Sequence, residues 1–269
     1  MRGASADSLA TLTEALGTAV QGGADPGRMA DDLFTVADVL RREPAFRRVA
    51  TDVSVPAAPK AGLVRDVFAG KLDPASLELV TDAVGRRWTV PRDLGDALEE
   101  LGVVAVVRSA EGSGQADALE NELFAVEQLV GDNPRLRDAL SDPVRSTEDK
   151  RTLLRGLLDG KVGAPAMRLA EQAVSGTHRT VGLALEAYQK IAAEHRNRLV
   201  ATVVVARALD EQDSTRLERA LEGQYGRPVH LNVVVDPDVI GGVKVAIGDD
   251  VIEGTVLSRL DDARRRLAG

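Results

Sequence analysis

The chain of 269 residues carries 34 lysine and arginine side chains against 42 aspartate and glutamate side chains, so its formal net charge is −8. A field of this sign repels a phosphate backbone, and aromatic residues at 3% of the chain supply few platforms for stacking bases, which argues against a nucleic-acid-binding protein. The absence of cysteine excludes disulfides and cysteine nucleophiles, and the longest apolar run, residues 199–206, is far below the roughly 20 residues of a membrane-spanning helix.

Most of the chain before residue 196 repeats itself at an offset of 90 residues. Without gaps, this offset aligns Leu33-Phe34-Thr35-Val36 with Leu123-Phe124-Ala125-Val126. It also pairs Pro44 with Pro134, Lys60 with Lys150, and Gly70-Lys71 with Gly160-Lys161. A single offset over so long a stretch indicates a duplicated unit.

Each copy predicts a succession of helices. In the second copy, apolar residues recur at steps of three and four residues at Leu119, Leu123, Val126, Leu129 and Val130. Asn133-Pro134 ends this helix, a short helix follows, and Ser146 opens another with a capping box. Longer helices follow at about residues 164–175 and 180–196. We therefore predict a mainly α protein that begins with two tandem small helical bundles, residues 1–100 and 101–196.

Residues 197–269 predict a small α/β C-terminal domain. A strand at residues 199–206 precedes a helix capped by Asp210, which ends at a left-handed Gly226 before a second strand at residues 229–235. Alternating Val243, Val245 and Ile247 predict one strand of a hairpin that returns at residues 248–250 into Val251-Ile252. Thr255 can cap a final helix whose apolar stripe is Val256, Leu260, Ala263 and Leu267.

No motif in the chain predicts a catalytic, cofactor or metal site. Gly70-Lys71 and Gly160-Lys161 lack the other residues of a phosphate loop and are better interpreted as helix ends. His178, His195 and His230 show no metal-ligand spacing, and the nucleophile-elbow pattern is absent. We expect Trp88 to pack in a core or cap rather than to anchor a partner, and the acidic stretch at residues 96–100 to form a solvated helix face.

The C-terminal block resembles the end of the delta subunit of F-type ATP synthase, the bacterial counterpart of the oligomycin-sensitivity-conferring protein. The matching residues are Gly241-Gly242, Gly248-Asp249, and the string Val251-Ile252-Glu253-Gly254-Thr255-Val256 that runs into Arg259-Leu260-Asp261. The family more often has Asp-Gly-Ser at Glu253-Gly254-Thr255, a change that keeps a carboxylate and a capping hydroxyl. Since the family usually has one helical bundle, residues 101–196 correspond to that bundle and residues 1–100 are an extra copy.

The resemblance implies a non-catalytic stator component, without a cofactor, that is peripheral to the cytoplasmic face of the cell membrane. It would link the catalytic head to the b-subunit stalk and resist rotor torque, so that proton translocation is coupled to ATP synthesis. In the family the helical domain holds N-terminal helices of the alpha subunits, and the C-terminal domain holds the end of the b subunit.

Amphipathic partner helices bind in grooves between helices. We predict such a groove for the alpha subunit at Leu123, Val126, Leu185 and Tyr188, and a contact with the b subunit at Val251, Ile252 and Val256. Two other classes stay open. One is a helical-repeat scaffold unrelated to rotary ATPases, and the other is a small-molecule transferase that uses the α/β end as a nucleotide site.

Overall fold

The computed structural model describes residues 1–175, 178–196, 199–237, 239, 242–248 and 250–253. The chain divides into two compact units, Met1–Ala192 and Ala193–Gly269. The first unit is helical and the second contains a small sheet, so the predicted mainly α fold with a small C-terminal α/β region is confirmed. No described helix combines the length and the apolar character needed to cross a membrane.

The helices of the first unit follow one another through short turns. Their bounds are α1 Ala4–Gln21, α2 Pro26–Arg42, α3 Pro44–Thr51, α4 Ala57–Phe68, α5 Pro74–Gly85, α6 Arg92–Gly112, α7 Ala116–Asp132, α8 Pro134–Ser141, α9 Thr147–Leu158, α10 Ala164–Ala173 and α11 Val181–His195. Ser146 caps α9 as predicted, because its Oγ accepts from the Asp149 amide at 3.1 Å, while the Asp149 carboxylate accepts from the Ser146 hydroxyl at 2.8 Å. Gly160 has a φ of 68° where α9 has just ended, which agrees with its interpretation as a helix end.

The 90-residue offset also relates the helices. Adding 90 to the bounds of α2, α3 and α4 gives the bounds of α7, α8 and α9, and α5 and α10 begin in register. Single hydrogen bonds repeat as well, since Asp32 Oδ2 accepts from the Asp73 amide and Glu122 Oε2 accepts from the Gly163 amide, each at 2.8 Å. The same shift of 90 residues aligns α1 with α6 in the sequence, and α6 with α11. Helix α6 therefore ends a first helical set, α1–α6, and begins a second helical set, α6–α11.

The two sets meet inside one helix. The boundary predicted between residues 100 and 101 falls within α6, and one hydrophobic core extends from Leu12 to Ala192. A conventional linker between copies is therefore absent at this point of the chain. The three-part division of the chain into domains stays a prediction.

The middle of helix α6, residues 101–107, is buried on all sides, unlike its counterpart in α1. Its buried apolar residues are Leu94, Ala97, Leu98, Leu101, Val103, Val104, Ala105, Val106, Val107 and Ala110. In α1 the large buried apolar residues are Leu12 and Leu16, which form a single stripe. A helix that is apolar on every side needs neighbours on every side. Helices of both sets supply them, since α6 packs along α2 and contacts α1, α7 and α10.

Close packing of α6 against α2 depends on glycine at residue 102. A Cβ atom at this position would lie within 2.7 Å of the Phe34 Cδ1 atom, and closer still to Cε1. Phe34 is buried in the core, so its ring has little space to move. We expect Gly102→Ala to lower the free energy of unfolding by about 1–3 kcal/mol, the usual cost of overpacking, in urea denaturation.

Gly95 in the same helix provides the matched control. A Cβ atom there would meet the Leu40 Cβ atom at 3.8 Å, which is ordinary van der Waals contact. Because alanine is favoured over glycine in a helix by up to about 1 kcal/mol, Gly95→Ala is expected to stabilise the protein. If both variants shift the free energy of unfolding in the same direction, the interpretation of the α2–α6 contact is wrong.

In its described residues the second unit contains a four-stranded sheet and a helix. The elements are β1 Leu199–Val205, α12 Glu211–Tyr225, β2 Val229–Val235, β3 Val243–Ile247 and β4 Asp250–Glu253, and the strand order is β2-β1-β3-β4. Strand β1 is parallel to β2 and antiparallel to β3, and β3 forms the predicted hairpin with β4.

The core of this unit lies on one face of the sheet. It contains Ala201, Val203 and Val205 of β1, Val229 and Leu231 of β2, Val245 and Ile247 of β3, and Leu221 of α12. The predicted cap is confirmed, since Asp210 Oδ1 accepts from the Asp213 amide at 2.7 Å, and Gly226 ends the helix with a φ of 67°. The predicted final helix after Thr255 lies outside the described residues.

Candidate partner-binding surfaces

The residues predicted to form the groove for the alpha subunit lie in the interior of the helical unit. Leu123 and Val126 of α7 and Leu185 and Tyr188 of α11 are all at most 2% exposed and belong to the same core. Their two helices are adjacent, since the Gln189 Nε2 atom donates to Glu127 Oε2 at 2.7 Å. A partner would reach these four side chains only if α7 and α11 moved apart. Their role in binding stays a prediction.

Tyr188 takes part in a buried polar network that joins the two helical sets. Its hydroxyl donates to a Glu99 carboxylate oxygen, and the other oxygen of Glu99 accepts from Arg41 Nη1 at 2.8 Å. Glu99 lies on α6 and is 3% exposed, whereas Arg41 lies on α2 and Tyr188 on α11. The network therefore connects the first set to the second across the shared helix.

The expectation of a solvated face at residues 96–100 is wrong for Glu99. The carboxylate is buried because α6 is covered by helices of both sets, and it is paired because an unpaired buried charge is costly. A signal for this burial was present in the sequence. At the 90-residue offset, Glu99 aligns with Leu9, an apolar position of α1.

Burial governs the electrostatics of this network. Desolvation, with the charge and the hydrogen bond of Glu99, raises the pKa of Tyr188 well above its usual value. The phenol thus remains a proton donor to Glu99 at neutral pH. Arg41 also forms an ion pair of 3.2 Å with Asp38 one turn earlier on α2, so its guanidinium is shared between two carboxylates.

Two further ion pairs connect α2 to the second set. Arg168 Nε of α10 lies 3.0 Å from Asp31 Oδ1, and Arg151 Nη2 of α9 lies 3.8 Å from Asp38 Oδ2. These side chains line a cleft of about 210 Å³. Both pairs are partly exposed, so each contributes little to stability by itself. Their arrangement holds α2 against α9 and α10.

Asp96 gives a test of the electrostatics at the shared helix. Burial first, and the neighbouring Glu99 second, raise the pKa of the Asp96 carboxyl. A raised pKa means that the folded protein binds this proton more tightly than the unfolded chain. The resulting stabilisation is present below the ordinary pKa of aspartate and is lost as the pH rises through the raised value.

We therefore expect Asp96→Asn to raise the free energy of unfolding at pH 7, and the gain to shrink as the pH falls through the raised pKa towards the ordinary pKa of aspartate. Urea denaturation at a series of pH values measures this difference. The exposed Asp66 of α4 supplies the control, because Asp66→Asn is expected to change stability by no more than about 0.5 kcal/mol. A gain in stability for Asp96→Asn that does not depend on pH would show that the pKa of the Asp96 carboxyl is not raised in the folded protein.

The residues predicted to contact the b subunit lie partly at the edge of the sheet. Val251 is 58% exposed and Ile252 is 37% exposed, and both belong to β4, the end strand. Val251 is paired with Ala246 and Ile252 with Val245, so the two side chains point to opposite faces of the sheet. Val256 lies outside the described residues.

Comparison with known proteins places this architecture in a family. The family model described as ATP synthase delta (OSCP) subunit matches residues 103–267. The chain belongs to the ATP synthase delta (OSCP) subunit family. Proteins of this family are components of the peripheral stalk. The match begins inside α6 and leaves residues 1–102 outside the matched range.

Relatives of this family share the additional residues. ATP synthase subunit delta of a Nocardioides species is 54% identical, over 100% of this chain and 98% of its own. The same subunit of Kineococcus radiotolerans is 44% identical over 92% and 90% of the two chains, and that of Streptomyces avermitilis is 40% identical over 99% and 98%. These matches cover 90% or more of both chains, so most of residues 1–102 have counterparts in delta subunits of several organisms.

Proposed function

We propose that the protein is a stator element of the F-type ATP synthase that joins the catalytic head to the b-subunit stalk. By resisting rotor torque it couples proton translocation to ATP synthesis. It carries out no bond-making step and acts at the cytoplasmic face of the membrane as a peripheral component. Family membership supports this role, and the architecture of the helical unit explains how the chain performs it.

The observation that carries the proposal is the continuity of the helical unit. One core extends from Leu12 to Ala192, α6 belongs to both helical sets, and the buried Glu99 is bonded on two sides. Close-packed interiors have low compressibility and transmit strain. A connector that has to withstand torque needs this property.

We further propose that the two units bind different partners. The helical unit binds N-terminal helices of the alpha subunit over α7 and α11. On these helices Leu183 is 49% exposed and Phe124 is half-buried, whereas Leu123, Val126, Leu185 and Tyr188 are interior. The second unit binds the end of the b subunit at Val251 and Ile252. An exposed apolar side chain on a sheet edge favours protein contact, since isolated edges invite pairing.

Co-purification from native membranes tests the function. The tagged chain is expected to recover the alpha, beta and b subunits after detergent extraction. A helical-repeat scaffold of another system would recover none of them, and a transferase would show a saturable ligand-dependent shift of its melting temperature. Recovery of the chain without rotary-enzyme subunits would overturn the proposal.

The b-subunit contact can be tested by a single substitution. Val251→Arg is expected to weaken binding of a purified C-terminal segment of the b subunit at least tenfold, the equivalent of about 1.4 kcal/mol, because it places a charge in an apolar contact. The melting temperature should stay unchanged, since the side chain is 58% exposed. Titration calorimetry measures the affinity.

Val144→Arg serves as the matched control, because Val144 is 91% exposed and lies in the turn between α8 and α9 of the other unit. This control is expected to bind the b-subunit segment as the unchanged chain does. Equal binding by both variants would show that β4 is not the contact.

A further inference from the structure

A small cavity lies where α8, α9, α10 and the start of α11 converge in the second helical set. Its volume is about 90 Å³, and its polar lining comes from Ser141, Lys150, His178, Arg179 and Thr180. The side chain of His178 packs edge-on against Tyr188, with ring centroids 5.9 Å apart, so the core holds one wall of the cavity in place.

The charge of this lining is positive. Lys150, His178 and Arg179 line the cavity, and no carboxylate side chain does so among the described residues. In the same part of the chain neither Lys150 nor Arg179 forms an ion pair. A concentration of unpaired cationic side chains around a cavity is unexpected on a chain with a net charge of −8. The first turn of α11 adds positive potential from its amide groups.

The first helical set has a bulkier residue at the position aligned with His178. At the 90-residue offset, Trp88 takes the place of His178 and Lys60 takes the place of Lys150. The Trp88 indole is 6% exposed, as expected for core packing, and its Nε1 atom donates to the Ala83 carbonyl at 2.9 Å. Lys60 is 5% exposed. His178 has a smaller ring than Trp88 at the aligned position, and it lines the cavity together with Lys150.

We infer that this cavity is a binding site for a single oxyanion group, a carboxylate or a phosphate. Lys150 and Arg179 neutralise the charge, and His178, Ser141 and Thr180 offer hydrogen bonds. The size selects the ligand, because pockets for nucleotide-sized molecules measure about 300–1,000 Å³ whereas 90 Å³ holds one small anionic group. The group comes either from free phosphate or from a carboxylate of a neighbouring subunit.

Thermal melting of the full chain tests the site with sodium phosphate and sodium acetate, at an ionic strength kept constant with sodium chloride. We expect a saturable rise of the melting temperature with dose, as binding to the folded state requires. Lys150→Ala combined with Arg179→Ala is expected to weaken the apparent affinity at least tenfold. His178→Trp, which copies the first set, is expected to abolish the response by filling the cavity.

Lys161→Ala is the matched control, because Lys161 is exposed and its Nζ atom donates only to the Leu157 carbonyl. This variant is expected to keep the full dose response. Absence of a saturable response in the unchanged chain, or an undiminished response in the double variant, would overturn the inference.

Binding of the purified catalytic head distinguishes the two sources of the anion. If a neighbouring subunit supplies a carboxylate, the double variant binds the head more weakly than the unchanged chain does. Phosphate then inhibits binding of the head to the unchanged chain but not to the double variant. If free phosphate is the ligand, both chains bind the head equally. The inference goes beyond the proposed function, since a chain without this site would still co-purify with the rotary-enzyme subunits.

Discussion

Replacement of Glu99 by alanine is expected to lower the free energy of unfolding by about 3–5 kcal/mol, the usual cost of breaking a buried ion pair. The substitution removes the carboxylate that Arg41 contacts at 2.8 Å and leaves a mostly buried guanidinium with fewer partners. It also deprives the Tyr188 hydroxyl of its acceptor in the core. Urea denaturation followed by circular dichroism measures the loss.

An exposed ion pair of the same type provides the control. Arg65 and Glu78 lie 3.7 Å apart with side chains 50% and 70% exposed, so Glu78→Ala is expected to cost less than about 1 kcal/mol. Replacing Arg41 and Glu99 together by methionine and leucine is expected to recover much of the stability, since apolar residues can substitute for a buried pair. Equal costs for Glu99→Ala and Glu78→Ala would show that the network does not hold the two sets together.

Deletion of residues 1–91 is expected to produce a chain that aggregates with itself rather than a smaller protein that is stable as a monomer. The deletion removes α2, which packs along α6, and exposes a helix that is apolar on all sides. Newly exposed apolar faces of this size lead to aggregation. Size-exclusion chromatography with light scattering, together with the binding of a hydrophobic dye, measures the outcome.

The opposite truncation is the control for this experiment. A chain of residues 1–196 keeps both helical sets and their common core, and it is expected to be monomeric and to unfold cooperatively. If the chain without residues 1–91 is equally monomeric and melts at the same temperature, the second set does not depend on the first. The contribution of the extra set to the stator is therefore better tested by substitutions such as Glu99→Ala than by removing it.

Local features of the fold could be predicted from the sequence because they depend on neighbouring residues. The periodicity around Leu123, the capping hydroxyl of Ser146 and the left-handed Gly226 each act within a few residues, and the hairpin before Val251 needs only alternation and a turn. The use of α6 by both helical sets could not be predicted in this way. It depends on contacts between residues far apart in the chain, and the repeat alone suggested two separate bundles.

The candidate partner-binding residues show a second limit. An apolar stripe at helical spacing predicts that a face is buried, but the same stripe serves a protein's own core and a partner. The pattern predicts a groove at Leu123 and Tyr188, but the structure places both side chains in the interior. Val251 follows the turn of the predicted hairpin, and it lies on the surface because β4 is at the end of the sheet.

Because α6 belongs to both helical sets, the duplication differs from one in which the two copies are separated by a linker. A duplication that leaves a linker between its copies can be undone by recombination within that linker. Here the last helix of one copy is the first helix of the next, so excision of one copy by recombination between positions 90 residues apart would join parts of two different helices or two different sets. Reversion to a single copy would then require that the joined residues, which come from an exposed helix and a buried one, still pack against their new neighbours.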